Sequence, residues 1–226
     1  SSWGDYDPDL ISPGGGVFRR TVKAIPISEP MRRALGIVDG PEAMEPNHLI
    51  KAILQAPVDL LWNGGIGTYV KAQSETHAEV GDKANDAVRI NGGELRVLVV
   101  GEGGNLGLTQ AGRIEAAHAG ARLNTDAIDN SAGVDTSDHE VNIKVLLDEV
   151  VRSGDLTGKQ RDEVLASMTD EVAALVLRDN YDQNVLLGNA RRGAANLIEV
   201  HGRMIRDLES RGILDRALEG LPADDE

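Results

Sequence analysis

The sequence predicts an α/β fold, with a partial parallel sheet flanked by helices and then an all-helical C-terminal region. Three observations carry this. Up to about residue 130, short apolar runs alternate with helix-start and helix-stop signals, as βαβ units require. Two of those runs, Val58-Asp59-Leu60-Leu61-Trp62 and Arg96-Val97-Leu98-Val99-Val100, lack the polar alternation of a one-sided sheet, so they read as buried strands. After Thr157 strand signals cease. The expected division is residues 1–133 and residues 134–226.

Residues 1–27 read as an irregular connection, rich in turn formers such as Pro13-Gly14-Gly15-Gly16. The chain opens Ser1-Ser2-Trp3 without an initiator Met, so a piece of a longer polypeptide is expected. Ser28-Glu29-Pro30 starts a short helix that Gly36 should stop. Glu45-Pro46 opens a second helix, closed by Pro57. The first strand then runs into Asn63-Gly64-Gly65. Ser74 is placed as the cap of a short helix near 75–80. The second strand ends in Gly101-Glu102-Gly103-Gly104-Asn105-Leu106-Gly107, and Thr109 caps a helix stopping at Gly120. A third strand is expected near Arg122, then a loop at Asp129-Asn130-Ser131-Ala132-Gly133. Ser137 and Glu140 match a capping box, which predicts a helix to Gly154 with Ile143, Leu146, Leu147, Val150 and Val151 on one face. Thr157 with Gln160 is a second capping box. A long last helix carries Leu197, Met204, Ile205 and Leu208 on one face and stops at Gly212. Residues 223–226 are expected to be disordered.

Composition narrows the function. The chain has 226 residues, 23 Lys plus Arg against 37 Asp plus Glu, and a net charge of −14. That balance opposes phosphate-driven nucleic-acid binding and docking to an anionic membrane. Aromatics at 3% leave little for base stacking. With no cysteine, disulfides, thiolate nucleophiles and Cys-ligated zinc are excluded. The His residues 48, 77, 118, 139 and 201 show no metal spacing, and no metal is expected. No membrane span or signal segment is visible, so a cytoplasmic setting is the default.

The strongest local signal is the strand, glycine loop and helix at 96–119. Glycines 101, 103 and 107 form a relaxed dinucleotide fingerprint. Two readings fit it: a backbone cradle for an anionic cofactor at a helix N-terminus, or a tight turn with no ligand. Ligands of open parallel sheets sit beyond the carboxyl ends of strands. Three loops leave such ends, at Asn63-Gly64-Gly65, at 101–107 and at 129–133, and all are rich in Gly and Asn. Ser137 is a cap by itself, but a capped helix start also suits a carboxylate.

The runs Asp59-Leu60-Leu61-Trp62-Asn63-Gly64-Gly65-Ile66-Gly67-Thr68-Tyr69, Glu102-Gly103-Gly104-Asn105 and Asn130-Ser131-Ala132-Gly133-Val134-Asp135-Thr136-Ser137-Asp138-His139-Glu140 closely resemble the large bacterial NAD-specific glutamate dehydrogenases. The likeness extends over nearly the whole chain. Fainter similarity to the small glutamate dehydrogenases aligns their E-G-A-N with residues 102–105, their N-A-G-G-V with 130–134 and their S-Y-F-E with 137–140, where Asp138 and His139 replace the aromatics.

The resemblance implies a partial Rossmann-like domain and oxidative deamination of L-glutamate to 2-oxoglutarate and ammonia, with NAD as cofactor. It implies that Asn63, Gly64, Gly65, Glu102, Gly103, Gly104, Asn105 and Asn130 contact the cofactor and that Ser137 binds the glutamate side-chain carboxylate. The 101–107 loop would then face the nicotinamide half rather than the pyrophosphate. The catalytic Lys and Asp are expected before Ser1, so none is assigned here and the fragment would be inactive alone. Expected partners are the remainder of the polypeptide and a homo-oligomer. Two alternatives stay open: a stand-alone nucleotide-binding module using 101–107 as a pyrophosphate loop, and a structural or assembly segment built on the helices after 157.

Overall fold

The computed structural model describes residues 3–223, the side chain of Trp3 apart; the expectation of a disordered tail falls mainly outside them. The chain divides into two compact units, Ser1–Asp126 and Ala127–Glu226. The first is α/β and the second all helical, in agreement with the predicted class.

In the first unit, two 3₁₀ turns (Trp3–Asp5 and Pro8–Leu10) precede strand β1 (Ile25–Pro26). Helix α1 (Glu29–Leu35) starts where its cap signal places it. The Ser28 hydroxyl accepts from the Met31 amide at 3.3 Å, and Gly36 closes the helix at φ 64°. Strand β2 (Ala43–Met44) pairs antiparallel with β1, and helix α2 (Pro46–Leu54) follows. Ile25, Ile27 and Leu49 form a small core there, with Met31, Leu35, Ile37 and Met44 against it.

The central pairing is parallel. Strand β3 (Leu60–Asn63) lies beside β6 (Val99–Glu102), with Asn63 opposite Glu102. The third strand expected near Arg122 reduces to a single parallel bridge to Val99: the Val100 amide donates to the Arg122 carbonyl and the Arg122 amide to the Leu98 carbonyl. Two strands escaped the sequence reading, β4 (Val70–Lys71) and β5 (Ile90–Asn91), which pair parallel, with Leu108 bridged to Val70. Two residues each are too few for a period-2 pattern. Among the described residues the strands thus form three two-stranded sheets, two of them parallel. Val70, Ile90, Leu95, Val97, Val100, Leu108 and Ala116 bury together as the main core. Ala116 belongs to helix α4 (Gln110–His118), capped by Thr109 as predicted, whose hydroxyl accepts from the Gly112 amide at 2.9 Å. Between β4 and β5, the cap of helix α3 (His77–Val80) is Thr76, not Ser74.

The boundary falls within the short helix α5 (Asp126–Asp129), whose residues from Ala127 on belong to the second unit with helix α6 (Ser131–Ser153). The sequence placed the start of α6 at Ser137 and a loop over 129–133. Both expectations fail, because a contact distant in sequence overrides the local cap signal. Asn180 Nδ2 donates to the Ile128 carbonyl at 2.8 Å and to Ser131 Oγ at 2.9 Å, fixing the helix start at 131. Ser137 therefore sits in the second turn, exposed, and caps nothing. Gly154 ends α6 in the left-handed conformation, as expected. The Thr157–Gln160 capping box then opens α7 (Gly158–Ser210), one 53-residue helix about 80 Å long. It returns antiparallel along α6, with Arg161 Nε 2.6 Å from Asp148 Oδ1. Its buried residues are Val172 and Val176, while Leu186, Ile198 and Met204 remain exposed. Among the described residues no helix is long and apolar enough to cross a membrane.

The segment joining β4 and β5 hangs on Asp82. Its Oδ2 accepts from Asn85 Nδ2 at 2.7 Å and from the Thr68 amide at 2.8 Å. Those bonds, the Asn85 side chain first and the Thr68 amide second, hold the carboxyl below its usual range. A carboxyl whose pKa falls on folding stabilises the fold above its unfolded value, and that contribution is lost as pH drops through the folded one. Asp82→Asn should thus lower Tm modestly at pH 7, with the gap to the unsubstituted chain closing as pH approaches 3. Melts from pH 7 to 3 check this; a gap independent of pH would refute it.

Candidate functional site

Because β3 and β6 are parallel neighbours in register, their C-terminal ends deliver two glycine loops to one edge. The Gly104 amide donates to the Asn63 carbonyl at 3.0 Å. A side chain at Gly104 would run into the Gly65 carbonyl, and one at Gly107 into the Asn63 amide group. The Trp62 indole lies across Gly101 and Gly103. The structure therefore brings Asn63, Gly64, Gly65, Gly103, Gly104 and Asn105 together on one rim.

Glu102 sets this arrangement. It is 0% exposed at the end of β6. Its Oε2 accepts from Arg113 Nε at 2.7 Å, and its Oε1 accepts from Arg113 Nη2 at 3.0 Å and from the Leu108 amide at 3.1 Å. Arg113 Nη2 also lies 3.1 Å from Asp126 Oδ1, while Asp126 Oδ2 accepts from the Leu106 amide at 2.7 Å. Leu106 sits at φ 57°, a conformation costing a non-glycine residue about 1–2 kcal/mol. The Asp126 carboxylate holds its amide, and the Thr68 hydroxyl donates to its carbonyl at 2.7 Å. Glu102 was expected to contact the cofactor. Its side chain has no exposed surface and is engaged by Arg113 and the Leu108 amide, so it shapes the loop, and a cofactor contact at this position would run through the backbone.

The N-terminal end of α4 is likewise served from within. Glu75 Oε2 accepts from the Thr109 hydroxyl at 2.6 Å, and Glu102 covers the Leu108 amide. The Leu108 amide and the Thr109 hydroxyl, both close to the start of α4, are therefore already engaged by carboxylates.

Beside the rim, Ile50, Ile53 and Leu54 of α2 face Asn63, Gly65 and Gly107 across a largely apolar cleft of about 730 Å³. That volume suits a small-molecule site. Asn63 Nδ2 is buried there without a hydrogen-bond partner, an unusual state for an amide donor. Asn105, Gly64 and Gly65 are exposed. In the second unit, Asn130 precedes α6 at the N-cap position without capping it through its side chain, and Ser137 presents an exposed hydroxyl about two turns further on. The sequence reading missed the Arg113–Asp126 clamp and Thr68. Arg113 carries a helix-interior signature no different from a surface arginine.

Three substitutions separate scaffold from contact surface. Glu102→Ala takes the bidentate partner from buried Arg113, leaving it Asp126 alone as counter-charge, and should cost about 3 kcal/mol. Gly104→Ala meets backbone and should cost about 1–3 kcal/mol. Gly65→Ala meets nothing within 4 Å and should stay within about 0.5 kcal/mol. Urea unfolding checks all three; equal losses would contradict the assignment.

Residues 1–190 match the family described as bacterial NAD-glutamate dehydrogenase, catalytic domain. The chain is 57% identical over its full length to an NAD-specific glutamate dehydrogenase of Mycobacterium tuberculosis. It is 58% identical, again over its full length, to the NAD-specific glutamate dehydrogenases of Halomonas elongata and Pseudomonas aeruginosa. It spans 14% of the length of each of these relatives. With a family match over most of its residues and this level of identity, the chain belongs to the bacterial NAD-glutamate dehydrogenase family.

Proposed function

We propose that this chain forms the nicotinamide-facing part of an NAD-dependent glutamate dehydrogenase, which deaminates L-glutamate oxidatively to 2-oxoglutarate and ammonia. The observation that carries the reading is the buried, unpartnered Asn63 Nδ2 on the wall of a cleft rimmed by two interlocked glycine loops. A flat polar ligand fits this better than a packed core would, because an orphan amide donor needs an acceptor.

In this reading Asn63, Gly64, Gly65, Gly103, Gly104 and Asn105 hold the nicotinamide riboside of NAD, with Asn130 near the ring and the substrate. When bound, NAD accepts the hydride leaving C2 of glutamate. The chain's own residues bind and orient. Glu102 and Arg113 fix the loop so that Asn105 stands at one place. The Ser137 hydroxyl donates to the side-chain carboxylate of glutamate, as an exposed group on the second turn of α6 rather than as part of a helix terminus. Proton transfers fall to the Lys and Asp that the family resemblance places elsewhere in the polypeptide. The proposed partners are that remainder and further copies of the chain, which the exposed apolar residues of α7 support; the proposed setting is cytoplasmic.

The test is steady-state kinetics of the polypeptide at full family length. Ser137→Ala should raise KM for glutamate about 10–100-fold, the loss of a hydrogen bond to a charged group, with KM for NAD little changed. Asn105→Ala should do the reverse. The 226-residue chain alone should give no glutamate-dependent NADH. Turnover by that chain, or substitutions that leave both constants unmoved, would refute the proposal.

A further inference from the structure

We propose that Asp135, His139 and Asp179 form a divalent metal-ion site joining α6 to α7, of a kind that takes Zn²⁺. Chain spacing hides it. Asp135 and His139 stand four apart on one face of α6, and the third group comes from α7. Each offers one ligand atom, and the three atoms lie within 4.8 Å of one another.

The separations favour a shared ion over direct pairing. His139 Nε2 lies 3.5 Å from Asp135 Oδ1 and 3.8 Å from Asp179 Oδ2. Both are too long for hydrogen bonds between a ring N–H and a carboxylate. Ligands around a tetrahedral zinc with bonds of 2.0–2.1 Å stand about 3.3 Å apart, a little closer than the two His139 separations, while the two carboxylates lie within 4.8 Å of each other. A second observation concerns satisfaction. Asp135 Oδ2 is buried and has no hydrogen-bond partner. A buried carboxylate oxygen without a donor is costly, and a cation beside it removes that cost. Gln183, one helical turn beyond Asp179, carries another buried acceptor without a partner, Oε1. Two carboxylates and a neutral imidazole match a divalent charge, and this mixed donor set suits Zn²⁺ among the first-row ions. His139 and Asp179 remain partly exposed, which leaves the ion a way in. The proposal is independent of the glutamate reading, since it concerns how two helices are fastened.

The experiment is isothermal titration of the chelator-treated 226-residue chain with ZnCl₂, together with thermal melts and visible spectra with CoCl₂ in place of zinc. One equivalent of Zn²⁺ should bind, Tm should rise because the ligands come from two helices, and Co²⁺ should show a d–d spectrum with nitrogen and oxygen donors. His139→Ala and Asp179→Asn should each weaken binding at least about tenfold and remove the rise in Tm, while the exposed neighbour substitution Asp138→Asn should change neither. Absence of saturable one-to-one binding would overturn the site. So would equal binding by His139→Ala and Asp179→Asn, which would place the ion on other groups. Asp179→Asn alters a half-exposed side chain, so it keeps the test decisive if His139→Ala folds poorly.

Discussion

Everything at the rim depends on one buried ion pair. Glu102 and Arg113 meet through two hydrogen bonds where neither side chain has appreciable access to water. Two charges so placed are tolerable only when every lone pair and N–H finds a partner, and here the spare capacity goes to the loop itself: the Leu108 amide on Glu102 and the Asp126 carboxylate on Arg113. The pair thus converts a stretch of glycines, which by itself would sample many conformations, into a surface of fixed shape. Asp126 completes this by holding the left-handed Leu106 amide. The glycines supply close approach and the carboxylates supply rigidity, and a binding rim needs both.

This division of labour bears on how the 101–107 segment differs from a pyrophosphate loop. A phosphate loop leaves its backbone donors free for the ligand. Here the Leu108 amide is taken by Glu102, the Thr109 amide by the Val70 carbonyl and the Gly112 amide by the Thr109 hydroxyl, which in turn donates to Glu75. What remains open is the outer edge, where the exposed Asn105 stands, with the buried orphan Asn63 amide behind it against Gly107. The chemistry offered is that of amides and backbone, suited to a neutral or weakly charged part of a cofactor on a protein of net charge −14.

Much of the fold was legible because its signals are local. Ser28 starts α1, Thr109 caps α4 and Thr157 opens α7, each through a side chain within three residues of the amide it satisfies, and Gly36 closes α1 through its left-handed backbone. The failures share the opposite cause. α6 starts at Ser131 because Asn180, on another helix, ties down that end, and no window around Ser137 contains Asn180. β4 and β5 exist through pairing alone, two residues at a time. At the site, the glycine-rich loops announced themselves by composition, and the family likeness named the asparagines. That the Glu102 carboxylate turns inward to Arg113 was not legible, because the partner lies eleven residues on in a helix. A buried acid and an exposed one look the same in a sequence.

The central claim is that the loops after β3 and β6 act as one surface toward the nicotinamide end of the cofactor. Amide hydrogen exchange of the full-length polypeptide with and without NAD tests it most directly. The account predicts slowed exchange at 63–65 and 103–105 together, with the amides of 109–112 at the start of α4 unchanged. Protection confined to 109–112, or slowing at one loop without the other, would contradict it.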